Sequence, residues 1–506
     1  MTLPFPLPLQ ELLEKIILVL HPTEQAFLVG GALRDTLLRL PTYDLDITLS
    51  ADAIGVARRV ADSMGGAFYP LDEERDTARV LLFQPDGSRQ ILDFAVLRGP
   101  DINSDLRARD FTINAMAVAL KKPQTLLDPL GGAKDLRAGI LRACSDEVFV
   151  DDPLRILRGV RQASAYRLRM QPETIRLMRR AIHLLPRVSA ERVRDEMFRI
   201  LDGDHPAANF RVMDKLGVLD YIFPEIATLK GVEQSAPHHD DVWSHTINVV
   251  SNLEKVLNVL SLQHDPEEAA NWHLGFISVQ LGRYRENIQK HLVDSTTTGR
   301  SQRALLFLAA LYHDSGKAET GHVDDNGQIR FFKHEIAGSR LIENRARVLR
   351  LSNQEIKHVE TIVRNHMRPF SLVQVGPPPS RRSVYRFFRD TGPAGVDICT
   401  LSLADTLATY GPALPREIWA DHLTVVRSLL DAWYERQDEE VSPRALLKGG
   451  DLIDHFGVSP GPQIGELLDV LREAQAAGDV SNRDQALEFA ESWLKTREET
   501  TGQTSI

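Results

Sequence analysis

The change of periodicity near residue 140 constrains the fold more than any other feature of this sequence. Up to about residue 135, short apolar runs alternate with longer amphipathic stretches. Phe27-Leu28-Val29, 45–49, Val80-Leu81-Leu82-Phe83 and 91–97 read as strands, and 9–20 and 51–65 as helices. After Asp151 the pattern is helical almost without interruption, with the apolar spacing of Leu154, Ile156, Leu157 and Val160. An α+β chain follows, with a small α/β head and a long helical body. Gly376-Pro377-Pro378-Pro379-Ser380 reads as a loop, 70–77 as another, and 498–506 as a frayed polar tail. A chain of 506 residues exceeds what one core usually serves, so several domains are expected.

Composition excludes some classes. No apolar run approaches the roughly 18 residues that a membrane span needs. The N-terminal stretch has no basic region and is interrupted by Glu11, Glu14 and Lys15, so it reads as an amphipathic helix, not a signal peptide. Cys144 and Cys399 are the only cysteines, too few for a disulfide framework, and a reducing, cytoplasmic setting is expected. A net charge of −10 argues against a protein that coats nucleic acid with its whole surface, while leaving room for a local basic site.

The most informative stretch is 28–49. Gly30-Gly31 lies between a strand and a helix that carries Arg34 and Asp35, where backbone N–H groups can approach phosphate. Asp44 and Asp46 are two apart in a strand, so both carboxylates leave the same face while Leu45, Ile47 and Leu49 turn to the core. Two such charges repel by roughly 4 kcal/mol at an effective dielectric near 20. A divalent cation with a taste for oxygen ligands, such as Mg²⁺, relieves that repulsion. Asp93, in the later strand, offers a third carboxylate.

The order Gly-Gly-x-Leu-Arg-Asp, then Asp-x-Asp, then Asp93-Phe94-Ala95-Val96-Leu97-Arg98, resembles the head of class II tRNA nucleotidyltransferases and bacterial poly(A) polymerases. Arg109-Asp110-Phe111-Thr112-Ile113-Asn114-Ala115-Met116 is similar to a further motif of that family, with Ala108 standing where an arginine is usual. The resemblance implies two-metal phosphoryl transfer. Asp44 and Asp46 would hold two Mg²⁺ ions, with Asp93 as third catalytic carboxylate. Gly30, Gly31, Arg34, Asp35, Arg98, Arg109, Asp110 and Asn114 would contact the nucleotide.

Asp152 and Arg155 are three apart at the start of the first body helix and are expected to share a face. Cytosine and adenine each show an amino donor beside a ring-nitrogen acceptor, which a carboxylate and a guanidinium together match. A helix cap with an ion pair reads the same residues without a ligand. The family's Glu-Asp-x-x-Arg motif, which selects CTP and ATP, is similar to Asp151-Asp152-Pro153-Leu154-Arg155, and Arg158 and Arg161 continue that face. Ser189 to Glu196 resembles a motif that braces the neck. Two arginine-rich stretches, 155–199 and 380–389, are candidate RNA surfaces, though the aromatics interleaved in the second equally suit the core face of an amphipathic helix.

A second constellation runs through His238-His239-Asp240-Asp241, His245, His313-Asp314, His334, His366 and Asp405. The series His245, His313-Asp314, Asp405 resembles the HD superfamily of metal-dependent phosphohydrolases. That likeness implies a metal site for Mn²⁺, Ni²⁺ or Mg²⁺, with His334 and His366 as ligands of a second ion. It serves either hydrolysis or helix stability alone.

Together these features set out a head over 1–138, a neck over 139–228, an HD domain over 229–425 and a helical C-terminal region over 426–506. The function they imply is CMP and AMP addition from CTP and ATP to the tRNA 3′ end, as CCA or only its CC or A part. A poly(A) polymerase and an HD hydrolase with an RNA-binding head are the alternatives. The first would be expected to carry a strongly basic extension, and the second damaged head carboxylates.

Overall fold

The computed structural model describes residues 5–42, 44–83, 89–122, 125–264, 267, 270–294 and 299–502. It forms two compact units, Met1–Glu196 with Val212–Tyr221, and Met197–Arg211 with Ile222–Ile506.

The first unit carries a seven-stranded sheet. Its strands are β1 (Ala26–Val29), β2 (Asp44–Leu49), β3 (Ala67–Asp72), β4 (Thr77–Phe83), β5 (Arg89–Val96), β6 (Ala117–Ala119) and β7 (Leu126–Leu127), in the order β3-β4-β5-β2-β1-β6-β7. β2 and β5 are parallel and the other pairs antiparallel. Alternation along β2 buries Leu45, Ile47 and Leu49 and leaves Asp44 and Asp46 open, as the sequence requires.

Helices α1 (Leu7–Leu18), α2 (Gly31–Leu38) and α3 (Ala53–Met64) accompany the sheet. Leu9, Leu12, Leu13 and Ile16 of α1 and Val56, Ala57 and Val60 of α3 share one core with Leu28, Ile47, Val80 and Phe94 of the strands. The spacing of the α3 residues is that of one helix face. Asp76 closes the N-terminus of α3, accepting from the amides of Ala53 and Ile54 at 2.9 and 2.8 Å. Asp76 belongs to the region expected as a loop over 70–77, which is instead the end of β3, a tight turn and the start of β4. β3 escaped notice because it contains Pro70, which an edge strand tolerates at its bulge.

Among the described residues, the strands of the second unit are those of the small β-hairpin Gly321–Val323 and Ile329–Phe331, and its other elements are helices. The Gln302–Tyr312 helix is buried on all sides from Ala304 to Tyr312, and Ser301 caps it by accepting from the Ala304 amide. The Ala394–Tyr410 helix is buried almost throughout. A satellite core holds Leu467 and Leu471 together with Ala486, Ala490 and Leu494. Those last three, at helical spacing, explain why the expected frayed tail is wrong in part. The helix Arg483–Gly502 continues into it, and 503–506 lie outside the described residues. The loop at 376–380 is present. Among the described residues no helix is long and apolar enough to cross a membrane.

Candidate active sites

In the head, the register of the parallel β2–β5 pairing builds the site. Asp46 on β2 lies opposite Asp93 on β5, and Asp44 sits two residues along on the same face. Although Asp46 is solvent-accessible, the crowding of its carboxyl among neighbouring groups desolvates it and raises its pKa above the ordinary range. Arg109 opposes that shift, while Asp93 and Asp44 add to it by repulsion. Such a trio suits a bound cation, which relieves the repulsion. The donor set, oxygen only, suits Mg²⁺.

Gly30 forms the wall facing Asp46. Its φ of +75° is left-handed, and a Cβ there would stand 2.8 Å from Asp46 Oδ2 and 3.2 Å from Arg109 Nη1. Only glycine satisfies both demands. Gly30→Ala is expected to displace the Asp46 carboxylate and lower nucleotide addition about 10²-fold while leaving the fold intact, the cost of a displacement near 1 Å. Steady-state addition kinetics alongside circular dichroism check it.

The other expected head residues form a buried polar network. Arg34 donates to both carboxylate oxygens of Asp35 at 2.9 and 3.0 Å and to Asn114 Oδ1 at 2.8 Å, and it lies 4.1 Å over the Tyr166 ring. Asn114 Nδ2 donates to Asp110 Oδ1 and Gln162 Oε1, both at 2.9 Å. Asp110 is also ion-paired with Arg158 at 2.9 Å. Burial works against its charge, but Arg158 and the donated hydrogen bonds hold its carboxyl below the usual range. Arg109 pairs with Asp105 at 2.9 Å and donates to Thr48 Oγ1 at 3.3 Å. Arg98 lies at the exposed edge, where desolvation and repulsion from Arg109 and Arg155 lower its pKa against the attraction of Asp105 and Asp110. Gly31 lies beside the Arg34 guanidinium.

Asp152 and Arg155 do not share a helix face. The helix begins at Arg155, and Asp152 is extended, with φ −146° and ψ 97°, because Pro153 follows it. Asp152 pairs with Arg192 at 2.8 Å. Arg155 donates to the carbonyls of Ala108 and Val148 at 3.0 and 3.3 Å. Arg161 meets Glu196 at 2.5 Å, so the 189–196 motif braces the neck through two ion pairs.

Much of the arginine excess is spent internally. Arg176 pairs with Glu173, Arg180 with Glu147, and Arg194 with Asp195. In the second stretch, Arg382 and Arg386 pair with Glu473, Arg382 also with Asp479, and Arg389 with Asp390. The apolar residues between them, Val384, Tyr385, Phe387 and Phe388, are core. The 380–389 stretch is therefore an amphipathic packing helix stapled to the Pro462–Ala477 helix, the core-helix alternative of its two readings.

Arg79 was not foreseen. It binds Asp93 through both carboxylate oxygens, at 2.7 and 2.9 Å. The β4–β5 register places Arg79 directly opposite Asp93. Correct pairing of β4 with β5 would have revealed it.

In the helical unit, His245, His313 and Asp314 form one group able to hold a metal ion, and Asp314, His334 and His366 a second. Asp314 Oδ2 lies 3.5 Å from His245 Nε2 and 3.2 Å from His313 Nε2. Its Oδ1 lies 3.3 Å from His334 Nε2 and 3.8 Å from His366 Nε2. Asp405 Oδ1 lies 3.1 Å from His245 Nε2. Such spacings are close to the ~3.0–3.4 Å edges of a shell around an ion ~2.1 Å from each ligand.

The imidazoles are set for ligation by their other nitrogen. His313, His334 and His366 each place Nδ1 at 2.7–2.8 Å from the backbone carbonyl three residues earlier. A carbonyl only accepts, so Nδ1 carries the proton and Nε2 offers its lone pair to the centre. The Nε2 atoms of His334 and His366 thus face each other at 3.4 Å. Those of His245 and His313 are buried without a hydrogen-bond partner. Burial, with His334 and His313 nearby, pushes His366 down to about 3. Burial opposes charge on Asp314 too, but His313 and Lys317 hold it well below the carboxylate range. A neutral His366 and an ionised Asp314 are in the states a metal requires, whereas at His313 burial is outweighed by Asp314 and Asp405, which raise its pKa above the ordinary range. Gly316 allows this convergence, since a Cβ there would stand 2.1 Å from the His334 carbonyl.

Lys317 and His238 were not assigned from sequence. Lys317 Nζ donates to Asp314 Oδ2 and Gln234 Oε1, each at 2.7 Å. His238 packs edge-on to His245 at 4.9 Å, and burial, Lys317 and His245 push it down to about 4. Both residues line a cavity of about 350 Å³ that opens onto Asp314, His334 and Asp405.

The comparisons with known proteins agree with this geometry. The poly A polymerase head domain matches 26–142, and the probable RNA and SrmB-binding site of polymerase A matches 167–230. The HD domain matches 242–409, and the putative tRNA nucleotidyltransferase domain 2 matches 429–490. An A-adding tRNA nucleotidyltransferase of Deinococcus radiodurans is 31% identical over 94% of this chain and 96% of its own. A CC-adding tRNA nucleotidyltransferase of Geobacter sulfurreducens is 32% identical over 92% and 91%. In fold, the chain is similar to the Thermotoga maritima CCA-adding enzyme complexed with tRNA, with a TM-score of 0.58, 22% identity and 97% of both chains covered. With those domains in that order and relatives matched along nearly their whole length, the chain belongs to the tRNA nucleotidyltransferase family.

Proposed function

We propose that this chain adds CMP or AMP, without a nucleic-acid template, from CTP or ATP to the 3′ end of tRNA, releasing pyrophosphate. The observation that carries this reading is Asp46 beside Asp93 on the parallel β2–β5 pair, with Asp44 on the same face and Gly30 as the facing wall. Two Mg²⁺ ions bound there would supply activation of the RNA 3′-OH and neutralisation of the triphosphate. Asp44 and Asp46 hold them. Arg79 orients Asp93. The Gly30-Gly31 turn gives the triphosphate access to the N-terminus of α2, and Arg109 and Arg98 supply positive charge beside it. Arg34, Asp35, Asp110, Asn114 and Arg158 hold the floor beneath, with Arg161 bracing the neck.

The relatives named above add either A or CC, so we assign this chain one part of the CCA sequence. Incubating it with tRNAs that end before CCA, after one C and after CC, with each nucleotide alone, tests the assignment. Extension of one class of end supports it. Addition of all three residues overturns the partial reading, and A-tailing of any RNA would instead mark a poly(A) polymerase.

Asp152 and Arg155 choose the base under this reading, so an incoming base meets Asp152 where Arg192 now pairs with it. Arg155→Ala is expected to cost about 1–3 kcal/mol of discrimination against UTP and GTP. Unchanged selectivity in single-nucleotide kinetics would remove the pair from that role.

We assign the helical unit a metal-dependent phosphodiesterase or phosphatase site, with Mn²⁺, Ni²⁺ or Mg²⁺ held by His245, His313, Asp314, His334, His366 and Asp405. The buried Nε2 lone pairs that lack partners support it. A division at about residues 138, 228 and 425 suits these roles. A cytoplasmic setting fits the two unbridged cysteines.

A further inference from the structure

Resting on the phosphohydrolase reading, we propose that His238 is a catalytic residue of that site, donating a hydrogen bond to a non-bridging phosphoryl oxygen of the substrate. The segment before the Val242–Val259 helix is clamped so as to present this side chain. Asp241 accepts from the Gly231 amide at 2.7 Å and caps the helix through the Ser244 amide at 2.8 Å. Asn248 donates to Asp240 at 2.8 Å, and Ser235 accepts from the Ile329 amide at 2.7 Å. Within this frame the His238 ring is fixed against His245 and lines the cavity with Asp314, His334 and Asp405. It belongs to neither of the groups able to hold an ion.

Lys317, the cationic group on this wall, is committed. Its ammonium is held by Asp314 and Gln234 and lies 5.3 Å over the Phe331 ring. His238 is left as the polar group on the loop side, facing a cavity whose remaining wall includes Met367, Phe370 and Val373. A phosphoryl group on the metal ligands thus has a donor on one flank and an apolar seat for its organic part on the other. The cavity, at about 350 Å³, is of the size that small ligands occupy.

The step served is hydrolysis. The oxygen of water forms a bond to phosphorus as the ester P–O bond breaks. The electron pair leaves on the alkoxide, which takes the proton given up by the water. His238 transfers no proton; it stabilises negative charge gathering on the non-bridging oxygen.

The test uses the full chain loaded with Ni²⁺ or Mn²⁺ and compares wild type, His238→Ala and His238→Gln. Metal content is read by mass spectrometry, inorganic phosphate binding by calorimetry, and turnover with bis(p-nitrophenyl) phosphate. Metal content is expected to stay constant. In His238→Ala phosphate affinity should fall roughly 10-fold, and kcat about 10²-fold. Glutamine, which keeps a donor, should restore part of both. Loss of metal in His238→Ala would make the residue a ligand and overturn the proposal, as would unchanged phosphate affinity and turnover in an active protein. A wild type that binds phosphate through His238 yet hydrolyses nothing overturns the phosphohydrolase reading and with it the catalytic role, a failure distinct from the other two.

Discussion

Asp46→Asn is expected to lower nucleotide addition by at least about 10³-fold, the several kcal/mol that a metal centre contributes to phosphoryl transfer. The variant keeps the shape of the side chain and removes its charge. It is also expected to unfold no sooner than the wild type. Desolvation and the carboxylates of Asp93 and Asp44 raise the Asp46 pKa. A carboxyl whose folded pKa is raised above its unfolded value destabilises the fold when it is ionised at neutral pH. Removing that charge therefore relieves the head at the expense of its chemistry. Hydrolysis by the helical unit should be untouched, and His313→Ala should show the reverse pattern. Paired measurements of extension, phosphodiester hydrolysis and melting decide it. Full extension by Asp46→Asn would remove the head site from the reaction.

The second large effect concerns a cluster that neither site uses. Asp397 is fully buried, and its Oδ2 lies 2.9 Å from His291 Nε2 and 3.0 Å from His358 Nε2. Burial disfavours its charge, yet the two imidazoles hold the carboxyl far below the usual range, while Asp397 raises the pKa of His291 against the effect of burial. Asp397→Ala leaves two buried imidazoles facing a void, and a cost of about 3–5 kcal/mol is expected. In a unit of this size that is a fall in melting temperature of the order of 10 °C.

The pH dependence follows from the two directions. The Asp397 contribution is present above its unfolded pKa, near ~3.9, and is lost as pH falls through its lower folded value. The His291 contribution is complete below its unfolded pKa, near ~6.5, and is lost as pH rises through its higher folded value. Their joint contribution is greatest between about pH 4 and 6.5. Melting curves from pH 5 to 9 should show a wild-type advantage over Asp397→Asn that shrinks on the alkaline side. A variant as stable as wild type at pH 6 would dismiss the cluster as an energetic feature.

What the sequence made legible was whatever period and proximity encode. The alternation over 44–49 put two aspartates on one face with three apolar residues opposite, and the sheet reproduces it. Cross-strand and inter-helix partners were not legible. Arg79 meets Asp93 only because β4 and β5 pair in one register. His291 and Asp397 are 106 residues apart, and each alone is an ordinary helical residue. The arginines of 380–389 looked free because Glu473 and Asp479 lie far along the chain. Asp152 and Arg155 misled for a local reason. Spacing of three implies one face only inside a helix, and Pro153 keeps Asp152 outside it.

Each of the imidazoles of His313, His334 and His366 is steered by a carbonyl of its own segment, three residues upstream. Their aim is thus written into local chain geometry and does not wait for the occupant. Drift in the surrounding packing can change what the cavity accepts, while these three nitrogens are re-aimed only by unwinding the turns that carry them. A descendant can in this way change what it binds long before the imidazoles lose their convergence.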